Sequence, residues 1–242
     1  MSTTSDRNTA VHLGSPVKDW TPPPIPNTAV MEGRTCRLEK LSASKHGADL
    51  YLANATDKDN VIWNYLPYGP FEREQEYLQW ITEFEDKQDP MFYAIVEKIS
   101  NNATGVASYL RLKPESGSIE VGHINYSPIL QNSVAATEAM FLMMDYAFSL
   151  GYRRYEWKCD SLNKRSRNAA LRLGFSYEGE FRQATVVKGL NRDTSWFSVI
   201  DSEWPALSQI FKQWLDPDNF DGSGQQITSL SYLTDVALPG RR

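Results

Sequence analysis

The sequence predicts an α/β (α+β) fold: a mixed, mostly antiparallel central sheet with flanking helices. Three observations carry that prediction. Residues 118–150 read as strand, short polar turn and helix, and another strand follows at 154–159. Two strands joined through a helix run parallel, with a right-handed crossover. Residues 92–98 with 105–113, and 176–187 with 194–200, are strand-like runs closed by polar turns, the pattern of antiparallel hairpins. Finally, 242 residues that are 41% hydrophobic and 23% charged can bury a core and are too apolar for general disorder.

The elements follow in order. Residues 1–30 form a proline-rich extension in which Thr21-Pro22-Pro23-Pro24-Ile25-Pro26 favours an extended polyproline arm. It either lies along the domain with Trp20 as anchor or hangs loose. The domain itself is expected over 31–215. Residues 34–41 read as its first strand, and Ser42 as the N-cap of a helix to Asn54. Residues 62–71 are aromatic, broken by proline and glycine, and neither clean helix nor clean strand. Residues 72–86 make a helix whose apolar stripe is Tyr77, Trp80, Ile81 and Phe84.

Asn101-Asn102 turns the first hairpin, and Glu115-Ser116-Gly117 leads into the strand at Ser118. There Ile119 and Val121 alternate with Glu120 and Gly122, and Pro128 ends the strand. Ala136, Ala139, Met140, Met143, Ala147 and Leu150 recur at helical spacing, and Gly151 reads as the C-cap. The small-residue turn Leu130-Gln131-Asn132-Ser133-Val134-Ala135-Ala136 feeds that helix, offering backbone N–H groups to an anion. Residues 164–173 form a basic helix closed by Gly174; the second hairpin turns over 188–193; 204–215 is an amphipathic helix; 216–242 reads as a polar, glycine-bearing peripheral tail.

Composition excludes several function classes. A net charge of −5 disfavours nucleic-acid binding, which needs a basic footprint, and permits a cationic or amine partner. Cys36 and Cys159 are far apart, and His12, His46 and His123 are scattered, so neither a disulfide framework nor a metal cluster is expected. No apolar run approaches the roughly 18–20 residues of a membrane span, and none suits a secretory signal, so the expectation is a cytoplasmic protein with no membrane partner.

The motifs then become specific. Gln131 and Ala136 occupy the first and last positions of Q/R-x-x-G-x-G/A. Together with the element order, they resemble the cofactor signature of the GNAT superfamily of acyl-CoA-dependent N-acetyltransferases. Ala136-Thr137-Glu138-Ala139 is similar to the A-T-E-A of the branch that acetylates ribosomal-protein N-termini and related amines. Asn163-Lys164-Arg165-Ser166 with Leu173-Gly174-Phe175, and Tyr177-Glu178-Gly179-Glu180-Phe181-Arg182, resemble that branch's N-x-x-S…L-G-F and E-G-x-x-R. The likeness covers residues 34–200. It departs at Val134, where the family has glycine.

The resemblance implies a GNAT-like sheet with its parallel strand pair splayed, acetyl-CoA as cosubstrate, no metal, and acyl transfer from a thioester to an amine. An alkyl amine, with pKa near ~10, must lose a proton before it attacks. Glu120, in E-V-G-H where relatives read E-I-G-Y, is the implied base, acting directly or through water; on a regular strand it shares a face with Gly122, Ile124 and Tyr126. The plain alternative is a surface carboxylate.

Main-chain groups of Ile124, Asn125 and Tyr126 would meet the thioester carbonyl and the pantetheine. Gln131, Asn132, Ser133, Val134, Ala135 and Ala136 would hold the pyrophosphate, with Thr137 also on the cofactor side, and Asn163 the pantetheine. Ser166 would protonate the leaving thiolate in place of a tyrosine that many members carry at the position of Ala170; a helix cap is its other reading. Arg167, with Lys164 and Arg165, meets phosphates or is simply a solvated helix face.

Trp63, Tyr65, Tyr68 and Phe71, the hairpin over 182–196, Glu120 and His123 are candidates for the acceptor side, with His123 structural or beside the base. The resemblance implies as acceptor a primary amine of a small molecule or of a protein N-terminus. The alternative is a non-catalytic acyl-CoA-binding or sensing module. Monomer and homodimer stay open.

Overall fold

The computed structural model describes residues 14–240. In chain order the elements are β1 (Val30–Glu32), β2 (Cys36–Lys40), α1 (Ala43–Asn54), α2 (Glu74–Phe84), β3 (Met91–Glu97), β4 (Ala103–Lys113) and β5 (Ser118–Tyr126). They continue with α3 (Val134–Ser149), β6 (Arg154–Asp160), α4 (Lys164–Arg172), β7 (Ser176–Val187), β8 (Leu190–Ile200), α5 (Trp204–Leu215) and α6 (Leu230–Ala237). The strands form one eight-stranded sheet in the order β1-β2-β3-β4-β5-β6-β8-β7. Every pairing is antiparallel except β5 with β6, as the strand–helix–strand reading requires.

The sheet is covered on both faces. On one, α3, α5 and α6 bury Ala139, Met143, Phe211 and Leu230 against Leu38, Tyr93, Tyr109, Val121, Trp157 and Phe197. On the other, α1 and α2 bury Leu50, Tyr77, Trp80 and Ile81 against Phe92, Ala94, Val96 and Val106. The six consecutive buried residues of Met91–Val96 follow from this, since each face of β3 has its own helices. At the start of α1, Ser42 is extended but makes no side-chain cap. His46 Nδ1 accepts the Ser42 N–H at 3.1 Å, and Glu85 accepts that of Ala43 at 2.7 Å.

The N-terminal arm lies along the domain. Pro23 and Pro26 are buried, and Tyr146 Oη accepts the N–H groups of Asn27 and Thr28 at 3.2 and 3.1 Å. Trp20 covers Gly117, where a Cβ would fall 2.3 Å from its ring, and Arg153 stacks on it at 5.4 Å. His12 and the rest of residues 1–13, with residues 241–242, lie outside the described residues.

Three expectations are corrected. The three-residue β1 adds a strand before the expected first one. The second hairpin turns on two residues, Lys188 (φ 50°) and Gly189 (φ 78°), so β8 begins at Leu190. Finally, residues 216–240 are not a peripheral tail. Leu230 and Thr234 are fully buried, Leu233 nearly so, and Trp214 Nε1 donates to Gln226 at 2.9 Å. Leu230 and Leu233 recur at helical spacing, but over only eight residues and after a polar, glycine-rich run that hides the pattern.

Candidate active site

The parallel strands part. Pairing runs from Ser118↔Arg154 to Val121↔Trp157 and stops, although β5 continues to Tyr126 and β6 to Asp160. The cause lies on β5. Its register against β4 slips between Ser108↔Gly122 and Val106↔Asn125, and His123 is left-handed at φ 49°. A bulge of this kind inserts one residue and bends its strand away from a neighbour. Residues 122–126 keep β4 on one edge and lose β6 on the other, which leaves main-chain groups open there.

The bulge also corrects the expected alternation. Ile124 and Tyr126 pack against the α3 side, where Tyr126 Oη donates to Ala136 O at 3.2 Å. Glu120 does not share their face. It shares the α1/α2 face with Gly122 and with His123, which stacks on Tyr68 at 5.6 Å.

Glu120 is only 4% exposed. Its Oε2 accepts from Arg111 at 2.9 Å and from Lys158 at 2.8 Å. Lys158 also meets Glu156 at 2.8 Å, Glu156 meets Arg154 at 2.7 Å, and Arg154 donates to Glu178 at 2.7 Å. The result is an alternating chain, Arg111–Glu120–Lys158–Glu156–Arg154–Glu178, with no net charge. Glu120 Oε1 has no hydrogen-bond partner among the described residues and lies on the Gly122 side. Lys158 Nζ additionally sits 3.7 Å from the Trp196 ring centre.

At the start of α3, Ser133 caps the helix by accepting the Ala136 N–H at 3.0 Å. Gln131 Nε2 donates to Tyr126 O at 2.9 Å and closes the turn onto β5. The left-handed residue of the turn is Asn132 (φ 60°), not Val134. Val134 is the first helical residue, its side chain part-buried against the core, so the backbone makes no demand for glycine there. The N–H groups of Val134 and Ala135 belong to the first turn, which has no acceptors within the helix, and they sit at its positive end. Thr137 Oγ1 accepts from Arg172 at 3.0 Å, tying α3 to α4.

The far wall of the gap is the start of α4. Asn163 is the cap, its Oδ1 accepting the Ser166 N–H at 3.1 Å. Ser166 Oγ accepts from Trp157 Nε1 at 3.0 Å, so its hydroxyl is not the cap; its own O–H is hydrogen-bonded to the Cys159 sulfur. Arg167 donates to Ser161 O at 3.2 Å and lies over Tyr177, while Lys164 and Arg165 are exposed.

On the acceptor side the structure separates the aromatic candidates. Trp63 is buried edge-on to Tyr68, Phe71 and Tyr77, a core residue. Tyr65 is exposed, and its hydroxyl donates to Leu162 O at 3.3 Å. Lys188 Nζ donates to Trp63 O at 2.9 Å. These two bonds carry the loop after α1 across to the β6–α4 connection and to the β7–β8 hairpin.

Beneath it, Tyr68 Oη, Trp80 Nε1, His123 Nδ1 and both amide atoms of Asn125 are buried without a partner among the described residues. Burial, then Arg111 and Arg192, bring the His123 pKa down to about 4, so its ring is neutral at pH 7. Sequence reasoning missed Arg111 and Lys158, and reached Arg192 only as part of the 182–196 hairpin. The one visible signal was Arg154-x-Glu156-x-Lys158, charges at strand spacing on an interior strand.

Among the described residues no group of three or more His, Cys, Asp or Glu could hold a metal ion, and no helix is long and apolar enough to cross a membrane.

Comparison with known proteins agrees with this geometry. The family described as acetyltransferase (GNAT) domain matches residues 37–176. The crystal structure of a GCN5-related N-acetyltransferase from Brucella melitensis is 45% identical, with a TM-score of 0.88, covering 90% of this chain and 100% of that one. A GNAT-family structure from Chromobacterium violaceum ATCC 12472 is 42% identical, with a TM-score of 0.75, covering 81% of this chain and 98% of that one. The ribosomal-protein-serine acetyltransferase of Escherichia coli (strain K12) is 30% identical over 100 residues, which span 41% of this chain and 56% of that protein. The matched family takes in the parted strands, the capped helix start and Ser166 together, and the chain belongs to the GNAT acetyltransferase family and is an acyltransferase.

Proposed function

We propose that this chain transfers an acetyl group from acetyl-CoA to a primary amine, on a small molecule or a protein N-terminus. The observation that carries the reading is the parting of β5 and β6 beside the capped start of α3, with the buried Glu120 on β5 next to the gap. The residues present fit acetyl-CoA. The open edge of β5 suits the pantetheine amides, which would pair as an added strand does. The turn Gln131–Ala136 would hold the pyrophosphate through the N–H groups of Val134 and Ala135. Asn163, and Ser166 beyond it, would line the other side. Acetyl-CoA supplies the acetyl group as an activated thioester.

The chain's own groups do the rest. Glu120 Oε1 takes the proton from the incoming amine, directly or through a water, while Arg111 and Lys158 hold Oε2 in place. Neighbouring residues of a strand send their N–H groups to opposite edges, so at least one of Ile124, Asn125 and Tyr126 presents its N–H to the gap and the thioester carbonyl. Ser166, its oxygen fixed by Trp157, would relay a proton to the leaving sulfur, giving its own and taking one back from water. Resemblance to the ribosomal-protein-serine acetyltransferase supports an N-terminal amine as one acceptor class. The free Cys36 and Cys159 accord with a reducing cytoplasmic setting.

Acetyl-CoA titration by calorimetry, followed by free-thiol release with a panel of amines, tests the reading. Binding with amine-dependent thiol release is expected. Failure to bind at millimolar cofactor rules it out, and binding without release with any amine leaves a sensing module.

A further inference from the structure

Charge around the gap does not close at one residue. The six-membered chain from Arg111 to Glu178 is neutral by itself, and Arg192 on β8 has no acidic partner among the described residues. Its Nε–H is buried with no acceptor, and so is Trp196 Nε1–H, four residues on and therefore on the same face of the strand. Both groups only donate. Of the acids nearby, Asp160 lies across from Thr194 of β8 and accepts the Leu162 N–H at 2.8 Å without pairing with Arg192, and the others are committed elsewhere. Glu120 holds Arg111 and Lys158; Asp89 accepts the N–H groups of Arg111 and Leu112; Asp193 accepts from Gln183 N and Asn191 Nδ2. The charge of Arg192 bears on both His123 of β5 and Cys159 of β6, one on each of the strands that part.

A cation and two buried donors with nothing to accept from them are complementary to an anion. The geometry points to Arg192, with Trp196 Nε1, as the seat of an anionic group, a carboxylate or phosphate, that the acceptor carries beside its reacting amine. This inference rests on the acetyl-transfer reading and narrows its substrate class. The phosphates of acetyl-CoA are assigned to the start of α3, a pantetheine arm away from the thioester, so they are not the group that Arg192 awaits. A neutral amine would leave both donors dry.

The test uses matched amines: glycine against glycinamide for carboxylate, and O-phosphoethanolamine against ethanolamine for phosphate. Thiol release is measured with the wild type, Arg192→Gln and Arg192→Lys, alongside acetyl-CoA titration of each. The wild type should favour the anionic member of at least one pair by about tenfold in kcat/KM, the scale of one charge-assisted contact. Arg192→Gln should bring that ratio close to one, mainly through KM, with acetyl-CoA affinity retained; Arg192→Lys should keep part of the preference. Which pair responds distinguishes carboxylate from phosphate.

Equal ratios in wild type and Arg192→Gln overturn the inference, as does a wild type that binds acetyl-CoA yet acetylates neither anionic amine. Weakened acetyl-CoA binding by Arg192→Gln overturns it too, by placing the arginine on the cofactor. A wild type that does not bind acetyl-CoA brings down the transfer reading itself, and this inference with it.

Discussion

Glu120 and Glu138 are both glutamates at 4% exposure on consecutive elements, yet their surroundings are opposite in kind. Glu138, in the first turns of α3, is saturated. Its Oε1 accepts Arg34 N at 2.7 Å, and its Oε2 accepts Thr35 N at 2.6 Å, Cys36 N at 3.0 Å and the Thr35 hydroxyl. It pins the turn between β1 and β2 to the helix. Gly33 is part of that fit, since a Cβ there would fall 2.7 Å from the carboxylate carbon. Glu120 is held by two cations on one oxygen and left with the other unengaged beside the strand gap. Burial alone therefore does not mark the working carboxylate; unspent hydrogen-bonding capacity beside an opening does.

The largest expected effect falls on the saturated side. Glu138→Ala leaves three backbone N–H groups and a hydroxyl without their acceptor, and should cost about 3–5 kcal/mol of stability. Urea unfolding measures it; a loss below about 1 kcal/mol would break the contrast, because Glu138 would then be no more than a spectator.

Acid should act through the same class of carboxylate. Burial pushes the Glu138 carboxyl up, but the Thr35 hydroxyl and the N–H groups of Arg34, Thr35 and Cys36 outweigh it and the net shift is down. Burial likewise raises Glu39, but Lys45, Arg37 and His46 overcome it and bring it down to about 2. Carboxylates depressed in the folded state stabilise it above their unfolded value, roughly 4.3. That stability is lost as pH falls through the folded values. The melting temperature should drop from about pH 4.5 towards pH 2, and less steeply in Glu39→Gln. A flat wild-type profile over that window contradicts the assignment.

The smallest effect belongs to the helix start. Since Asn132 supplies the left-handed residue of the turn, Val134→Gly should change acetyl-CoA affinity by no more than about threefold. A much larger change in titration would mean that the valine side chain shapes the turn.

Much of this frame was legible in the residues. Alternation and turn residues gave both hairpins, helical spacing gave α5 to the residue, and the strand–helix–strand order gave the one parallel pair. Gln131–Ala136 was legible as a small-residue turn feeding a helix start. What decides the chemistry was less so. The period-2 reading of β5 assumes a regular strand, and nothing in Gly122-His123-Ile124 announces a left-handed histidine that sends Ile124 and Tyr126 to the other face. The Arg111–Glu120–Lys158 cluster depends on the register of three strands, a long-range property that local pattern does not set. Short elements such as β1 and α6 carry too few residues for a period to show.

The most direct test of the central claim is Glu120→Gln, which keeps the shape and removes the base. With acetyl-CoA affinity measured by calorimetry and turnover by thiol release at neutral pH, kcat should fall by about 10²-fold or more while the cofactor dissociation constant stays within about threefold. An unchanged kcat would contradict the account and leave Glu120 as one more link in a structural ion-pair chain.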